Sequence, residues 1–448
     1  MNLYFDNLKS NNLKSSNINQ DLYITNFLTR FDLMAKYIYI KFKVYDIDTN
    51  FHIDLYHSHM ITFNNCCEYP GTKIGIEDFI THYDKLINGM KLLGYDKNTP
   101  IPMGRNNIII NGAHRLITSF FYNIQPVFQY INEIGCTGYD DHFFLERKEY
   151  PVLKRVYSDF MALNYINIDK NIRCLIVYPI VSGYNKYSEI EQIINIYGKK
   201  YYDKDVILNK NGISNLIKEL YRGEDWIGGM FPTGFSPGNK ANLCTDINQN
   251  SFKIKIYLFH IYNVNLLIEM KEKCRNIFKI GKHSLHISDY TTDTFRIASS
   301  LLNENSVFFL NHGTNDISSK TRNLLNEYFS YNSYKSSEGL CLTSGLILEL
   351  FGVRETNDID YLYRHLRNDT LKLEFNNINI SEHKGVWEKF YSISKDDIIF
   401  NPNNHFYING YKFATLKIVK EMKEKRHENK DIQDVKMIQF LSANKCII

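Results

Sequence analysis

The stretch Gly339–Tyr363, GLCLTSGLILELFGVRETNDIDYLY, decides how this chain of 448 residues is interpreted. An apolar run ends at the small-residue turn Ser344-Gly345, and the residues after the turn are apolar at helical spacing. A second apolar run, Ile359–Tyr363, overlaps an acidic segment. Short apolar runs bounded by small residues are typical of strands, and apolar residues three to four apart are typical of a helix. The stretch therefore predicts a strand, a turn, a helix and a second strand.

Two carboxylates stand at the start of the second predicted strand. Asp358 and Asp360 are two residues apart, so on an extended segment both side chains point to the same side. Such a pair can hold Mg²⁺, which neutralises the charge of a triphosphate and orients an in-line attack. Thr343, Ser344 and Gly345 lead into the helix, whose first N–H groups and positive dipole end favour phosphate. We therefore predict that the two aspartates are catalytic metal ligands and that these three residues bind the nucleotide.

The same stretch resembles the minimal nucleotidyltransferase fold, whose signature is Gly-Ser or Gly-Gly, a helix and then Asp-x-Asp. The run FYINGYKFATL at 406–416 and the later pair Lys430-Asp431 with Asp434 are similar to the C-terminal part of the antitoxin-like branch of that family. The resemblance covers roughly the last 110 residues. The chain departs from the family at Ser344-Gly345, where the usual Gly-Ser order is reversed.

The resemblance implies further site residues. A third carboxylate would complete the metal site or deprotonate the acceptor hydroxyl, and Glu374 is the first candidate and Glu382 the second. Lys412 and Lys430 are the candidates for binding the triphosphate. Glycosyltransferases also use an Asp-x-Asp pair for the metal of a nucleotide-sugar, so the pair alone does not choose between the two classes.

A second motif lies near the N-terminus, in the run IPMGRNNIIINGAHRL at 101–116. An apolar segment, an Asn-Gly turn and a helix start form an arrangement that can bind an anion, because Gly112 permits close backbone approach and Arg115 can bind phosphate with two N–H groups. The run resembles the ParB/sulfiredoxin superfamily, whose hallmark is a hydrophobic strand followed by D/N-G-x-H-R. The resemblance implies that Gly112, His114 and Arg115 hold phosphate. Ala113 stands where sulfiredoxins have a catalytic cysteine, so that reaction is not expected.

A third set of candidates lies in the middle of the chain. His283, His286 and Asp289 precede a predicted helix, and side chains of these types can form an acid/base or metal cluster. A capping or core role is the alternative for all three.

Strands and helices alternate after Pro151, which favours an α/β layer within a mixed α+β, multidomain chain. One of the predicted strands is the apolar run at 306–310. We expect three units: a ParB/sulfiredoxin-like phosphate-binding domain at 1–150, an α/β middle domain at 151–315 and a nucleotidyltransferase-like domain at 316–448.

Composition restricts the classes of partner. The 53 basic and 49 acidic residues leave a formal charge of +4, which disfavours a nucleic-acid partner. The apolar stretch from 33 to 44 contains three lysines, and we expect no membrane span. The eight cysteines form no CxxC pair and the N-terminus lacks the apolar core of a signal peptide, so we expect reduced thiols and a cytoplasmic location.

These patterns predict an Mg²⁺-dependent nucleotidyl- or phosphoryltransferase. Its substrates would be a nucleoside triphosphate such as ATP and a small sugar or polyol acceptor, and surface-glycan biosynthesis is the expected setting. A glycosyltransferase that uses a nucleotide-sugar is one alternative. A non-catalytic regulator, with a ParB-like module joined to an antitoxin-like domain, is the other.

Overall fold

The computed structural model describes residues 20–68, 71, 73–228, 238–245, 249–314, 317–331, 338–366 and 377–445. It is a mixture of helices and strands with more than one sheet, which confirms the mixed α/β class. The chain forms two compact units. Unit one comprises the described residues up to Ile172 together with Asn195–Tyr202 and Leu258–Tyr262, and unit two comprises Arg173–Ile194, Asp203–Tyr257 and the described residues from Asn263 onward.

This division differs from the three predicted domains. The predicted boundary at 315 separates a helix from the sheet that it covers in unit two, since the ring of Phe309 stacks on Phe406 with centroids 4.8 Å apart. The Ser306 hydroxyl also accepts a hydrogen bond from the backbone N–H of Tyr407 at 2.9 Å. The segments 151–315 and 316–448 therefore share one core over much of their length.

Unit one is mainly helical. Its elements are α1 Gln20–Phe27, α2 Asp32–Val44, α3 Phe51–Asn64, α4 Ile76–Leu93, β1 Ile101–Met103, α5 Ala113–Tyr122, β2 Phe128–Tyr130, α6 Asp141–Glu146 and α7 Arg155–Ile166. Helix α4 has two acidic residues in its first turn, Glu77 and Asp78, and ends at Gly94, whose φ is +79°.

The core of unit one holds a group of paired charges among aromatic rings. Arg30 binds the Asp32 carboxylate with two N–H groups at 2.7 and 3.0 Å, and Lys36 binds the same carboxylate at 2.8 Å. All three side chains are buried. Arg30 lies over the ring of Tyr139, with its guanidinium carbon 4.7 Å from the centroid. Buried charges of this kind are tolerated because each has a partner.

The later elements form two larger sheets. In chain order they are β3 Ile172–Val177, α8 Tyr187–Tyr197, β4 Gly198–Asn209, α9 Lys210–Leu220, α10 Gly238–Leu243, β5 Ser251–Ile261, α11 Leu267–Phe278, β6 Leu285–Ile287, α12 Thr291–Leu301, α13 Glu304–His312, α14 Ser319–Tyr331, β7 Leu340–Thr343, α15 Gly345–Leu350, β8 Ile359–Tyr363, β9 Ile380–Glu382, α16 Lys395–Phe400, β10 His405–Ile408, β11 Tyr411–Ala414, α17 Leu416–Arg426 and α18 Asn429–Lys445. One sheet has the strand order β4-β5-β3-β6 and the other has the order β10-β11-β7-β8-β9. The predicted strand at 306–310 is wrong, because this run lies in helix α13.

The second of these sheets carries the predicted Asp-x-Asp pair. Strand β7 runs antiparallel to β8, with Thr343 opposite Asp360, and β8 runs parallel to β9, with Asp360 opposite Ser381. Strands β10 and β11 form a hairpin whose turn residues, Asn409 and Gly410, both have positive φ angles. That conformation is the one that Asn-Gly favours in a two-residue hairpin.

Two observations bear on the expected environment. None of the described helices combines the length and the hydropathy that crossing a bilayer requires. The cysteines within the described ranges are free thiols, and most of them are buried.

Candidate functional site

Strand pairing brings the two halves of the predicted motif together in unit two. Because Thr343 pairs with Asp360 in antiparallel strands, the turn that ends β7 lies beside the beginning of β8. The turn continues directly into α15, so the first backbone N–H groups of this helix lie at the same edge of the sheet. Asp358 precedes β8 and is exposed, whereas Asp360 lies within the strand and is buried.

The turn has a constrained backbone. Ser344 adopts φ +64° and ψ −135°, a combination that residues other than glycine rarely adopt. A Cβ atom at Gly345 would lie 2.6 Å from the hydroxyl of Thr356, so only glycine fits there without movement of the neighbour. The Thr356 hydroxyl donates to the backbone carbonyl of Asp358 at 3.1 Å and lies 3.2 Å from its carboxylate. Thr356 thus holds the turn and the first aspartate close together.

Asp360 is 8% exposed and is surrounded by hydrogen-bond donors. Ser381 donates to its Oδ1 at 3.0 Å, and Nε2 of His383 lies 3.3 Å from its Oδ2. Burial by itself raises the pKa of this carboxyl, but hydrogen bonds from His383, Ser344 and Ser381 outweigh burial and lower the pKa. Asp360 is therefore a carboxylate at neutral pH.

A buried chain of hydrogen bonds extends from Asp360. Nδ1 of His383 lies 2.9 Å from the hydroxyl of Tyr391, and this hydroxyl lies 3.2 Å from the hydroxyl of Thr343. Burial raises the pKa of Tyr391, so its hydroxyl stays neutral. Thr343 is fully buried and its hydroxyl contacts Tyr391, which places it among the residues that support the turn.

An aromatic side chain covers part of His383. The Trp387 indole stacks on the imidazole with ring centroids 5.4 Å apart and an interplanar angle of 12°. The guanidinium carbon of Arg426 lies 5.7 Å from the centre of the indole. Arg426 is fixed by two hydrogen bonds of 2.7 Å to the carboxylate of Asp431. Neither His383 nor Trp387 belongs to the predicted site. The sequence does show that Ser381 and His383 are two residues apart, so on an extended segment they lie on the same side.

Two cationic side chains lie near Asp358. Arg354 interacts electrostatically with this carboxylate, and its guanidinium is held by Asp434 at 2.6 and 2.8 Å. Lys320 donates to the side-chain carbonyl of Asn357, the residue before Asp358, at 2.9 Å. Both side chains are held by partners within unit two, Arg354 by Asp434 and Lys320 by Asn357.

The two lysines predicted for the triphosphate have other neighbours. Lys412 donates at 2.7 Å to the backbone carbonyl of Glu338, just before β7 begins. That end of the strand lies roughly 15 Å from Thr343, at about 3.3 Å for each residue. Lys430 is exposed and lies 3.3 Å from the Glu428 carboxylate. In the structure, neither lysine lies at the turn.

Neither candidate for the third carboxylate lies beside Asp360 in the described part of the chain. Glu374 lies outside the described residues. Glu382 pairs with Tyr361 in the parallel ladder, so it lies on the face of the sheet opposite to Asp360, and its nearest charged partner is Lys384 at 3.5 Å. On the face of Asp360, His383 follows Ser381 by two residues, and both side chains contact the Asp360 carboxylate.

The chain matches no family model, no curated protein and no solved structure. The expectations drawn from the two family resemblances therefore stay predictions.

The N-terminal motif forms the predicted turn, but its Arg115 and His114 side chains contact other residues of the protein. Gly112 has φ +87° and stands directly before α5. Arg115 donates from Nη1 to the backbone carbonyls of Thr99 and Pro100 at 2.6 and 3.1 Å. These contacts join the start of α5 to the segment before β1, so the structure shows Arg115 as a link within unit one.

His114 packs among tyrosines. Its Nε2 lies 2.8 Å from the Tyr56 hydroxyl, and its ring meets the ring of Tyr83 edge to face with centroids 4.5 Å apart. Burial lowers its pKa well below the ordinary value, and nearby lysines such as Lys36 lower it further. His114 is thus a neutral side chain in an aromatic cluster.

The middle candidates do not form a common centre. Nδ1 of His283 lies 3.3 Å from the ammonium of Lys240, and Asp289 pairs with Lys271. His286 meets the ring of Tyr221 with centroids 5.4 Å apart, and burial lowers its pKa to about 3. Among the described side chains these three do not come together as a metal-binding group.

Proposed function

We propose that unit two carries an Mg²⁺-dependent site that transfers a nucleotidyl or phosphoryl group from a nucleoside triphosphate to a small acceptor hydroxyl. One observation carries the proposal: antiparallel pairing places the constrained turn at Ser344-Gly345 beside Asp358 and Asp360. The sequence contains the turn and the carboxylates, but their proximity depends on the strand pairing. A small sugar or polyol stays the predicted acceptor.

The carboxylates suit Mg²⁺ in number and type. This ion is commonly held by one or two carboxylates, with phosphate oxygens and water completing its octahedral shell. Asp358 is exposed and Asp360 is ionised, and each keeps lone pairs beyond the hydrogen bonds described above. When bound, Mg²⁺ would neutralise phosphate charge and polarise the phosphorus under attack.

The other side chains have supporting tasks. The proposal assigns phosphate binding to the constrained turn at Ser344-Gly345, which continues into α15. Arg354 and Lys320 supply positive charge beside the exposed aspartate. His383, which is held by Tyr391, fixes the orientation of the Asp360 carboxylate. Its two ring nitrogens are both engaged, so it is a positioning residue.

Metal binding gives the most direct test. Asp358→Asn and Asp360→Asn each remove one negative charge and keep the shape of the side chain. With Mn²⁺ as the probe in place of Mg²⁺ and no nucleotide present, each variant should bind the ion at least tenfold more weakly than the wild type. Electron paramagnetic resonance of free Mn²⁺ measures this loss. Glu382→Gln is the matched control, because it removes a carboxylate from the opposite face of the same sheet region. Equal affinities in all four proteins would exclude the two aspartates as a metal site.

Turnover is tested with the same variants. Phosphorus NMR of ATP or CTP with a panel of sugars, polyols and their phosphates should show Mg²⁺-dependent product with the wild type and with Glu382→Gln. The double variant of Asp358 and Asp360 should form no product. Glycosylated acceptor and UDP formed from UDP-sugars and the same acceptors, without ATP or CTP, would instead identify the glycosyltransferase alternative.

A further inference from the structure

Two described side chains hold the Trp387 indole in place. The His383 imidazole stacks on the indole, and the Arg426 guanidinium lies over it. His383 in turn contacts Asp360, so the indole is one side chain away from the proposed metal ligands. Gly385, at φ +62°, begins the short helical segment that presents the indole beside β9. The ring therefore has a fixed position relative to the carboxylates.

This rigid indole is also accessible. It is 38% exposed, and its neighbour Val386 is 64% exposed. A large aromatic surface that stays open to water while one part is fixed by stacking is well suited to a planar ligand, because little side-chain freedom is lost on binding. Any nucleobase can stack on such a surface, because every base has a π-face whatever hydrogen-bond donors and acceptors its edge carries.

We propose that the exposed part of Trp387 is the stacking surface for the nucleobase of the nucleoside triphosphate. This inference rests on the function proposed above and assigns the base-binding part of the same site. The phosphates would lie at the turn beside Asp358 and the base would lie beyond His383, against the indole. Arg426, which is fixed over the same indole, adds positive charge next to the base.

Stacking makes a prediction about selectivity. The described contacts of the Trp387 indole are the rings of His383 and Phe390 and the guanidinium of Arg426. The imidazole is engaged by Asp360 and Tyr391 and the guanidinium by Asp431, so we expect the base to be bound through its ring area and not through the donors and acceptors of its edge. Affinity should therefore follow stacking area, with purine triphosphates ahead of pyrimidine triphosphates and little difference between ATP and GTP.

Fluorescence observes this residue directly. The chain has two tryptophans, so Trp226→Phe leaves Trp387 as the single indole in the full-length protein. Titration of this variant with MgATP should quench or shift the emission in a saturable manner. Titration with magnesium tripolyphosphate, which has the phosphates and no base, should bind without changing the emission.

Calorimetry separates the base from the phosphates. Trp387→Leu removes the aromatic surface, and Trp387→Phe keeps an aromatic ring, so the second is the control for stacking and for folding. We expect Trp387→Leu to weaken MgATP binding by about tenfold and Trp387→Phe to weaken it by about threefold or less, as base stacking on single aromatic side chains implies. Neither variant should change the affinity for magnesium tripolyphosphate.

The outcomes distinguish this inference from the proposed function. Unchanged MgATP affinity in Trp387→Leu, or equal losses for MgATP and tripolyphosphate, would overturn the base site. If tripolyphosphate binding in the same experiments is still lost in Asp360→Asn, the proposed function stands without it. If neither MgATP nor tripolyphosphate binds to the wild type, both proposals fail.

Discussion

Ser344 shows how one residue combines two functions at a cost to its backbone. Its positive φ allows the chain to turn from β7 into α15, and its side chain donates to Asp360. Residues other than glycine pay on the order of 1–3 kcal/mol for such a conformation. The reversed Ser-Gly order at 344–345 follows from the structure, since Gly345 is required by its contact with Thr356.

The two roles of Ser344 can be separated by substitution. Ser344→Ala keeps the strained φ and loses the hydrogen bond, so we expect a loss of about 1 kcal/mol in the free energy of unfolding. Ser344→Gly loses the same bond but relieves roughly 1 kcal/mol of backbone strain, so its stability should stay close to that of the wild type. Urea denaturation followed by circular dichroism measures both. An alanine variant as stable as the glycine variant would show that the turn is not strained.

The sequence allows the residue types of the site to be predicted more readily than their neighbours. Asp358 and Asp360 are recognisable because two carboxylates alternate on a predicted strand. His383 and Trp387 are not, because their proximity to Asp360 depends on the pairing of β8 with β9 across a long connection. Arg115 has the residue type of an anion site, but the nearby carbonyls of Thr99 and Pro100 satisfy it.

At the scale of elements, short apolar runs are where prediction fails. The run at 306–310 has the composition of a strand, yet it lies in α13 because the Asn303 side chain caps the helix by accepting from the backbone N–H of Ser306 at 2.8 Å. A run of four apolar residues after a serine fits either structure, and the cap decides. By contrast, β7, α15 and β8 begin and end close to the predicted residues, because each of them is bounded by turn residues that the sequence shows.

Hydrogen-bonded ion pairs join helices α17 and α18, and they make the stability of the fold depend on pH. Asp431 is buried and accepts hydrogen bonds from Arg426 and Lys423 at 2.7 and 3.0 Å. Burial raises the pKa of Asp431, but the hydrogen bonds from Arg426 and Lys423 outweigh burial and lower it to about 2. Its pKa in the unfolded chain is near 3.8.

A lowered carboxylate pKa stabilises the fold above the unfolded value, and the stabilisation is lost as the pH falls toward the folded value. Asp431 should therefore contribute on the order of 2 kcal/mol at pH 7, and this contribution should disappear between about pH 4 and pH 2. Guanidinium denaturation at several pH values, compared between wild type and Asp431→Asn, isolates it from other carboxylates. A stability difference that stays constant over this window would contradict the assignment.

At the scale of the whole molecule, the two units are interleaved in sequence. After the chain has entered unit two, it returns twice to unit one, at Asn195–Tyr202 and at Leu258–Tyr262. The sequence does not reveal this, because no linker rich in proline, glycine or serine marks the boundaries and the returning segments are parts of longer predicted elements. Domain division by length and composition therefore gives three consecutive units where the chain forms two.

The returning segments complete the core of unit one. The Tyr201 ring packs on Tyr165 with centroids 4.0 Å apart, and Tyr202 stacks on Phe31 at 5.8 Å. The Tyr202 hydroxyl donates to the buried carboxylate of Asp159 at 2.7 Å. Removal of these partners exposes aromatic surface and leaves a buried charge with fewer hydrogen bonds, and both effects are destabilising.

We therefore expect a fragment of residues 1–172 to lack cooperative thermal unfolding and the near-ultraviolet circular dichroism of the tyrosine cluster. A fragment of residues 1–262 keeps both returning segments and should retain this circular dichroism, although its residues from unit two lack their partners. Differential scanning calorimetry and near-ultraviolet circular dichroism of the two fragments test the difference. Cooperative unfolding of the 1–172 fragment, with tyrosine circular dichroism equal to that of the longer one, would show that the N-terminal helices form their core without Tyr201 and Tyr202.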